Sequence, residues 1–195
     1  DPKIKRLLSE VKDREFIGYS YDGADASFEL LARRLIGDIP RYILINEYDV
    51  SVKKDSAGEI ISRAKAQLVV DGQKILCEGE GNGPVNALDN AIRKNVKKLA
   101  KYSEYLKDLK LVDYKVRILN TGTEAVTRVS IESTDSKGKN WFTIGVSTNI
   151  IDASFKALID SLDYKLFKDN APESKWVKTI SLLFYTNLNY QKILA

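Results

Sequence analysis

Histidine and methionine are absent from the 195-residue sequence, and cysteine occurs once, as Cys77. Without histidine the chain lacks the commonest general base and the commonest metal ligand. A single thiol forms no internal disulfide. Cys77 lies in an alternating apolar segment, the setting of a small buried residue and not of a reactive thiol. No Ser/His or Cys/His pair exists, and Asp49, Asp113 and Glu132 fall on alternating segments where acids face solvent. We therefore expect a binding domain with no catalytic residue and no metal site. No apolar run approaches the ~20 residues that cross a bilayer, and no secretory leader is visible, so a soluble, cytoplasmic chain with no membrane partner is expected. The missing methionine at position 1 leads us to expect a piece of a longer protein.

What is present suffices for a folded core: 44% of the residues are apolar. The formal charge is only +4, from 31 basic and 27 acidic residues that interleave along the chain. That pattern is a solvated surface and not a nucleic-acid footprint. Arg93-Lys94 and Lys97-Lys98 are expected to form one polar face of a helix.

The main signal is a repeat. The offset of 66 positions that joins Tyr48 to Tyr114 also joins Val50 to Val116, Gly72 to Gly138 and Gly79 to Gly145. It continues through Val85/Ile151, Ala87/Ala153, Ala91/Ala157 and Ile92/Leu158. An offset held across strands, turns and a helix marks one unit used twice, and two copies are too few for a solenoid. A pseudo-symmetric pair follows, with a seam able to hold a small ligand.

Each copy reads as three strands and a helix. Tyr48, Val50 and Val52 alternate with polar residues, as do Ala64, Ala66, Leu68 and Val70. Asp71-Gly72 makes a hairpin, and Ile75 and Cys77 continue the third strand. Val85, Leu88, Ala91, Ile92, Val96 and Leu99 then fit a helical stripe. In the second copy, Leu111–Leu119, Ala125–Ser133 and Asn140–Val146 read as strands, and Ser147-Thr148-Asn149 caps a helix through Leu162. Ahead of the repeat, residues 1–39 form two helices. The first carries Ile4, Leu7, Leu8 and Val11 on one face. The second is capped by Asp25-Ala26-Ser27, carries Phe28, Leu31, Leu35 and Ile36, and ends at Gly37-Asp38-Ile39-Pro40. The fold class is α+β: a helical linker subdomain (1–39) before a duplicated βββα domain (40–169, with units at about 42–103 and 108–169). The tail 170–195, with its apolar Ile180–Tyr185 stretch, is left unassigned.

Gly79-Glu80-Gly81-Asn82-Gly83-Pro84 leads into a helix, where bare backbone N–H groups attract anions. It is neither a phosphate loop nor a dinucleotide fingerprint, since no Gly-Lys-Ser/Thr follows and Pro84 replaces a third glycine. Two readings stand: a tight strand-to-helix turn, or a seat for a small carboxylate. Leu111, Tyr114 and Ile118 form an apolar set around one strand. Tyr114 adds a hydroxyl that needs a partner when buried.

At Glu78–Asp89, Leu111–Leu119, Gly145–Ser154 and Asp160–Leu166 the chain resembles the C-terminal regulatory region of 2-isopropylmalate and citramalate synthases. Asp22–Leu31 is similar to the helical linker before that region, and the wording of Leu111–Asn120 and Gly145–Ser154 leans towards citramalate synthase. The resemblance implies two βββα units that form a homodimer and bind an end-product amino acid near the dimer interface. The effector is leucine for isopropylmalate synthases and isoleucine for typical citramalate synthases. It also implies a TIM barrel, outside these residues, that uses a divalent metal and condenses acetyl-CoA with a 2-keto acid. No cofactor is implied for this part. By matching position, the effector meets Gly81, Gly83, Pro84, Val85 and Asn86, with Leu111, Tyr114 and Ile118 as apolar wall and Ala125 nearby. Two alternatives stay open: a double-stranded-RNA-binding module, for which the lysines lie too late in the helix, and a dimerisation module without an effector pocket. Leucine and isoleucine are not separable from sequence.

Overall fold

Turn chemistry lays out the two copies. Asp71 and Gly72, with φ of 52° and 80°, make the tight hairpin in the first, the backbone that an Asp-Gly pair favours. The computed structural model describes residues 1–37, 39, 41–122 and 125–174. Two helices come first, α1 (Pro2–Phe16) and α2 (Asp25–Ile36). The first unit follows as β1 (Leu44–Lys54), β2 (Ile60–Val70), β3 (Gln73–Gly81) and α3 (Pro84–Lys94). A short helix α4 (Ser103–Leu106) precedes the second unit: β4 (Lys110–Ile118), β5 (Thr127–Thr134), β6 (Asn140–Ser147) and α5 (Ile150–Lys168). The sheets are antiparallel with orders β1-β2-β3 and β4-β5-β6. The α+β, twice-βββα architecture is as expected.

The repeated Gly/Ala positions are a packing repeat. A Cβ on Gly79 would meet the backbone of Ala91 and the carbonyl oxygen of Ala87, and one on Gly145 would meet the carbonyl oxygen of Ala153. Ala87, Ala91, Ala153 and Ala157 are all fully buried. Each helix therefore lies against a strand at backbone contact, and small residues on both sides are what allow it. Cys77 is buried in the same core, and that burial pushes its thiol pKa up, consistent with a packing role.

Three local expectations need correction. The α3 stripe stops at Asn95, whose side chain donates to the carbonyls of Ala91 (2.7 Å) and Glu78 (2.9 Å). Val96 and Leu99 are buried, but on a 3-10 turn beyond the helix. In α2 the cap residue is Ala24, with no side-chain cap. Ser27 is instead buried, accepting from the Ile144 N–H at 2.9 Å. The buried face of α2 carries Ala26, Ser27, Leu30 and Leu31, whereas Phe28 and Ile36 are exposed. None of the α1 residues is buried.

The start of the tail folds back on the first unit: the Tyr102 hydroxyl donates to the Pro172 carbonyl at 3.1 Å, and the Asp71 N–H to Ser174 Oγ at 3.3 Å. Asp38, Pro40, residues 175–195 and the Ile180–Tyr185 stretch lie outside the described residues. Among the described residues no helix is long and apolar enough to cross a membrane.

Candidate functional site

Gly81 ends β3, and a Cβ there would press on Asn86 Oδ1 and lie 2.6 Å from the Ala87 nitrogen. Its first role is thus to let the strand pass close under the helix start. Gly83 is the N-cap of α3, with extended backbone and nothing described within 4 Å of an added Cβ. Pro84 is the first helical residue and brings no N–H, as that position tolerates. Val85 is half-buried. Asn86 is exposed and turns its Oδ1 back to accept from the Asn82 N–H at 3.3 Å. No described side chain caps this helix, so its first-turn N–H groups lack the partner that a cap supplies. At the equivalent end of α5, Asn149 Oδ1 accepts from the N–H groups of Ile151 (2.8 Å) and Asp152 (3.4 Å).

The apolar wall owes its single face to a bulge. Leu111 pairs with Ser133, the register then slips at Val112, and Tyr114 pairs with Ile131, Val116 with Val129 and Ile118 with Thr127. Ser133, Ile131, Val129 and Thr127 are all buried on the helix-facing side of β5. One extra residue in β4 therefore brings odd-numbered Leu111 and even-numbered Tyr114 and Ile118 to the same side. That face opens towards its end: Leu111 and Tyr114 are half-buried, Val116 is 42% exposed and Ile118 is 68% exposed. β1 repeats the design, slipping between Ile45 and Glu47 and placing Tyr48, Val50 and Val52 opposite Ala66, Ala64 and Ser62. Val52, at 57% exposed, matches Ile118. Ala125, half-buried, lies in the connection before β5.

Both strand tyrosines spend their hydroxyls on the start of α5. Tyr114 Oη lies 2.9 Å from Ser154 Oγ, and Tyr48 Oη donates to Asp152 at 3.5 Å while its ring stacks edge-on against Phe155. Burial raises the pKa of both phenols, so both stay neutral hydrogen-bonding groups. Leu111 instead reaches α3: with Asp89, Ile92, Arg93, Leu158 and Leu162 it lines a cavity of about 10 Å³ between the two helices. A cleft of about 330 Å³ beside Trp141, Tyr164, Lys165 and Lys168 holds none of the expected site residues. Neither cavity joins the glycine turn to Tyr114. Tyr48, Asp152, Ser154 and Phe155 were not singled out from sequence as site residues, although the 66-residue offset had paired Tyr48 with Tyr114.

A second polar cluster joins α2 to α5. The Arg34 guanidinium donates to Asp160 at 2.8 Å and to Asp163 at 2.6 Å. Glu29 accepts from the Tyr164 hydroxyl (3.1 Å) and from Lys168 (3.0 Å). Asp163 is fully buried, and burial pushes its pKa up to about 6, against the opposing pull of Arg34 and Arg41 and with a smaller upward push from Asp160. A carboxyl whose folded pKa lies above its unfolded value adds stability below the unfolded value and loses it as pH rises through the folded one. Lowering pH from 7 to 5 should therefore stabilise the protein through this group, by on the order of 1–2 kcal/mol at the linkage of ~1.4 kcal/mol per unit. Glu29, Asp108, Asp135 and Asp169 have lowered pKa values and act in the opposite sense, but only as pH falls towards their own lower range. With no histidine in the chain, no side chain with an ordinary pKa competes in that window. Thermal melts should show the gain in the parent and not in Asp163→Asn.

Comparison with known proteins adds to this geometry. The family model described as LeuA allosteric (dimerisation) domain matches residues 22–166. The chain is similar to (R)-citramalate synthase of Geobacter sulfurreducens, 43% identical over 176 residues, covering 89% of this chain and 33% of the relative. It is similar to the (R)-citramalate synthase of Aquifex aeolicus at 44% over 171 residues, 86% of this chain and 32% of the relative. The 2-isopropylmalate synthase of Clostridium acetobutylicum is 36% identical over 106 residues, 53% of this chain and 17% of that protein. The chain thus spans about a third of the length of the citramalate synthases it matches.

Proposed function

Because the chain belongs to the LeuA allosteric (dimerisation) domain family, we propose that it is the homodimerising, amino-acid-sensing part of a citramalate synthase. It binds isoleucine, and occupancy inhibits condensation of acetyl-CoA with pyruvate by a TIM-barrel domain that carries the divalent metal. The greater similarity to citramalate synthases than to the isopropylmalate synthase favours isoleucine over leucine.

The observation that carries the sensing role is the β4 face, apolar from Leu111 to Ile118, polar at the Tyr114 hydroxyl, and open to solvent at its far end. A branched aliphatic side chain fits such a wall, and the effector's carboxylate fits the uncapped N–H groups of Val85 and Asn86. A second copy covers Val116 and Ile118, and Val52 on the matching strand. Feedback requires the effector to bind one arrangement of the whole enzyme more tightly than another.

Calorimetric titration with isoleucine, leucine and valine tests the reading. Saturable binding with isoleucine preferred is the expected result. A preference for leucine would move the assignment to an isopropylmalate synthase, and no binding by any of the three would overturn the sensing role. Gly83→Asp tests the glycine turn separately. Space is open there and aspartate is a good N-cap, so the variant should fold as well as the parent yet lose isoleucine binding. Binding at the parent's affinity would remove the turn from the site.

A further inference from the structure

α5 is the element that touches both ends of the problem. Its 19 residues span roughly 28 Å at the helical rise. At its start it meets Tyr48 and Tyr114 through Asp152, Phe155 and Ser154. In its second half it meets α2 through Asp160, Asp163, Tyr164 and Lys168. Because Gly145 seats it on β6 at backbone contact, a displacement at one end is carried along the helix and is not absorbed by side-chain slack.

The contact with α2 is built unlike a purely structural one. Arg34 reaches two carboxylates with two different nitrogens, yet its Nε is buried with no hydrogen-bond partner among the described residues, and Asp163 draws besides only on the Ile43 backbone. Buried polar atoms in a settled structure are nearly always paired, and a half-satisfied buried ion pair is a poor source of stability. Arg41, just beyond α2, acts on Asp163 through its charge but makes no ion pair with it among the described contacts. A fork on two acids with one donor left unspent can exchange partners between them, which is what a transmitting contact needs.

We propose that Arg34 is the positioning residue that passes occupancy of the effector site, through α5 and its Asp160 and Asp163, to the helical subdomain that carries α2. The inference rests on the effector-sensing reading above. It assigns Arg34 no contact with the effector. A lysine at position 34 keeps the charge but replaces the planar fork by a single point donor, so it should not hold Asp160 and Asp163 in the same relative arrangement.

Hydrogen exchange of the whole chain, with and without L-isoleucine or L-leucine, reads the coupling directly. In the parent, saturating isoleucine should slow exchange at the start of α5 and, by about fivefold or more, in α2, the low end of ordinary allosteric coupling. Arg34→Lys should bind isoleucine within about tenfold of the parent, the span of a 1.4 kcal/mol difference, and protect the start of α5, while the α2 response is lost. Should that variant fold poorly, Arg34→Met/Asp163→Leu replaces the pair by apolar groups, a change that folded proteins tolerate, and should show the same uncoupling. An α2 response that survives in a variant that binds isoleucine overturns the proposal. So does a fall in affinity beyond tenfold, which would make Arg34 part of the site itself. Failure of the parent to bind either amino acid sinks the sensing reading and this inference with it, whereas binding without any α2 response sinks the inference alone.

Discussion

Gly145→Ala is expected to lower the thermal unfolding midpoint by roughly 2–12 °C, taking overpacking at about 1–3 kcal/mol and 2–4 °C per kcal/mol for a chain of this size. The added methyl falls on the Ala153 carbonyl oxygen, with the Ala153 carbonyl carbon at 2.9 Å and the Ala157 nitrogen at 3.0 Å. These are backbone atoms of α5, so no rotamer change relieves the clash, and the helix must lift from β6. Gly79→Ala should behave alike, since its methyl meets the Ala91 backbone. Gly83→Ala is the control: its surroundings are open, and the loss should stay under about 1 kcal/mol, the difference in N-cap preference. Differential scanning calorimetry of the three variants measures this. Equal losses at Gly83 and Gly145 would refute close helix-strand contact as the reason for the glycine repeat.

Ile118→Asp should turn a dimer into a monomer without unfolding it. Ile118 is 68% exposed in the protomer, so the aspartate costs the isolated chain little. On the proposed dimer surface it becomes an uncompensated buried charge, at about 3–5 kcal/mol, which weakens association by two orders of magnitude or more. Isoleucine binding should disappear with it, because the same face forms the apolar wall. Arg117→Asp, one position away on the opposite face of β4, should change neither. Sedimentation velocity at several concentrations, with circular dichroism to check folding, decides it. A dimer as tight as the parent would place the interface elsewhere.

Much of the fold was legible because its determinants are local. Period-two alternation, the Asp71-Gly72 turn and the Gly79/Gly145 pair with their alanines each sit within one unit. The strand bulges were not legible as such, since Val112 is an ordinary strand residue and an Asn such as Asn46, though scarce in strands, does not by itself mark a bulge. Their trace was only the odd spacing of Leu111 from Tyr114. The end of α3 was missed because Val96 and Leu99 continue the apolar stripe past a helix that Asn95 closes with side-chain hydrogen bonds. In α2 the Asp-Ala-Ser cap signal lost to tertiary demand, Ser27 being used to satisfy a β6 N–H instead. For the candidate site, the sequence indicated the glycine turn and the β4 wall. It did not show that Gly81 is held first by the close approach of Asn86 and Ala87. The Arg34 clasp joins residues 126 and 129 positions apart, and no periodicity reports such a contact.

That separation also bears on how the chain assembles. Most contacts of each βββα unit join elements of that same unit, so much of each can form soon after its own residues are available. α2 has no such freedom. Its partners Ile144, Asp160, Asp163 and Tyr164 all lie more than 100 residues downstream. At roughly 5–20 residues per second of synthesis, the segment made early must wait several seconds or more for the surface that covers Leu30 and Leu31. The first unit can be folded while α2 is still bare, and a helix made early becomes one of the last pieces to find its place.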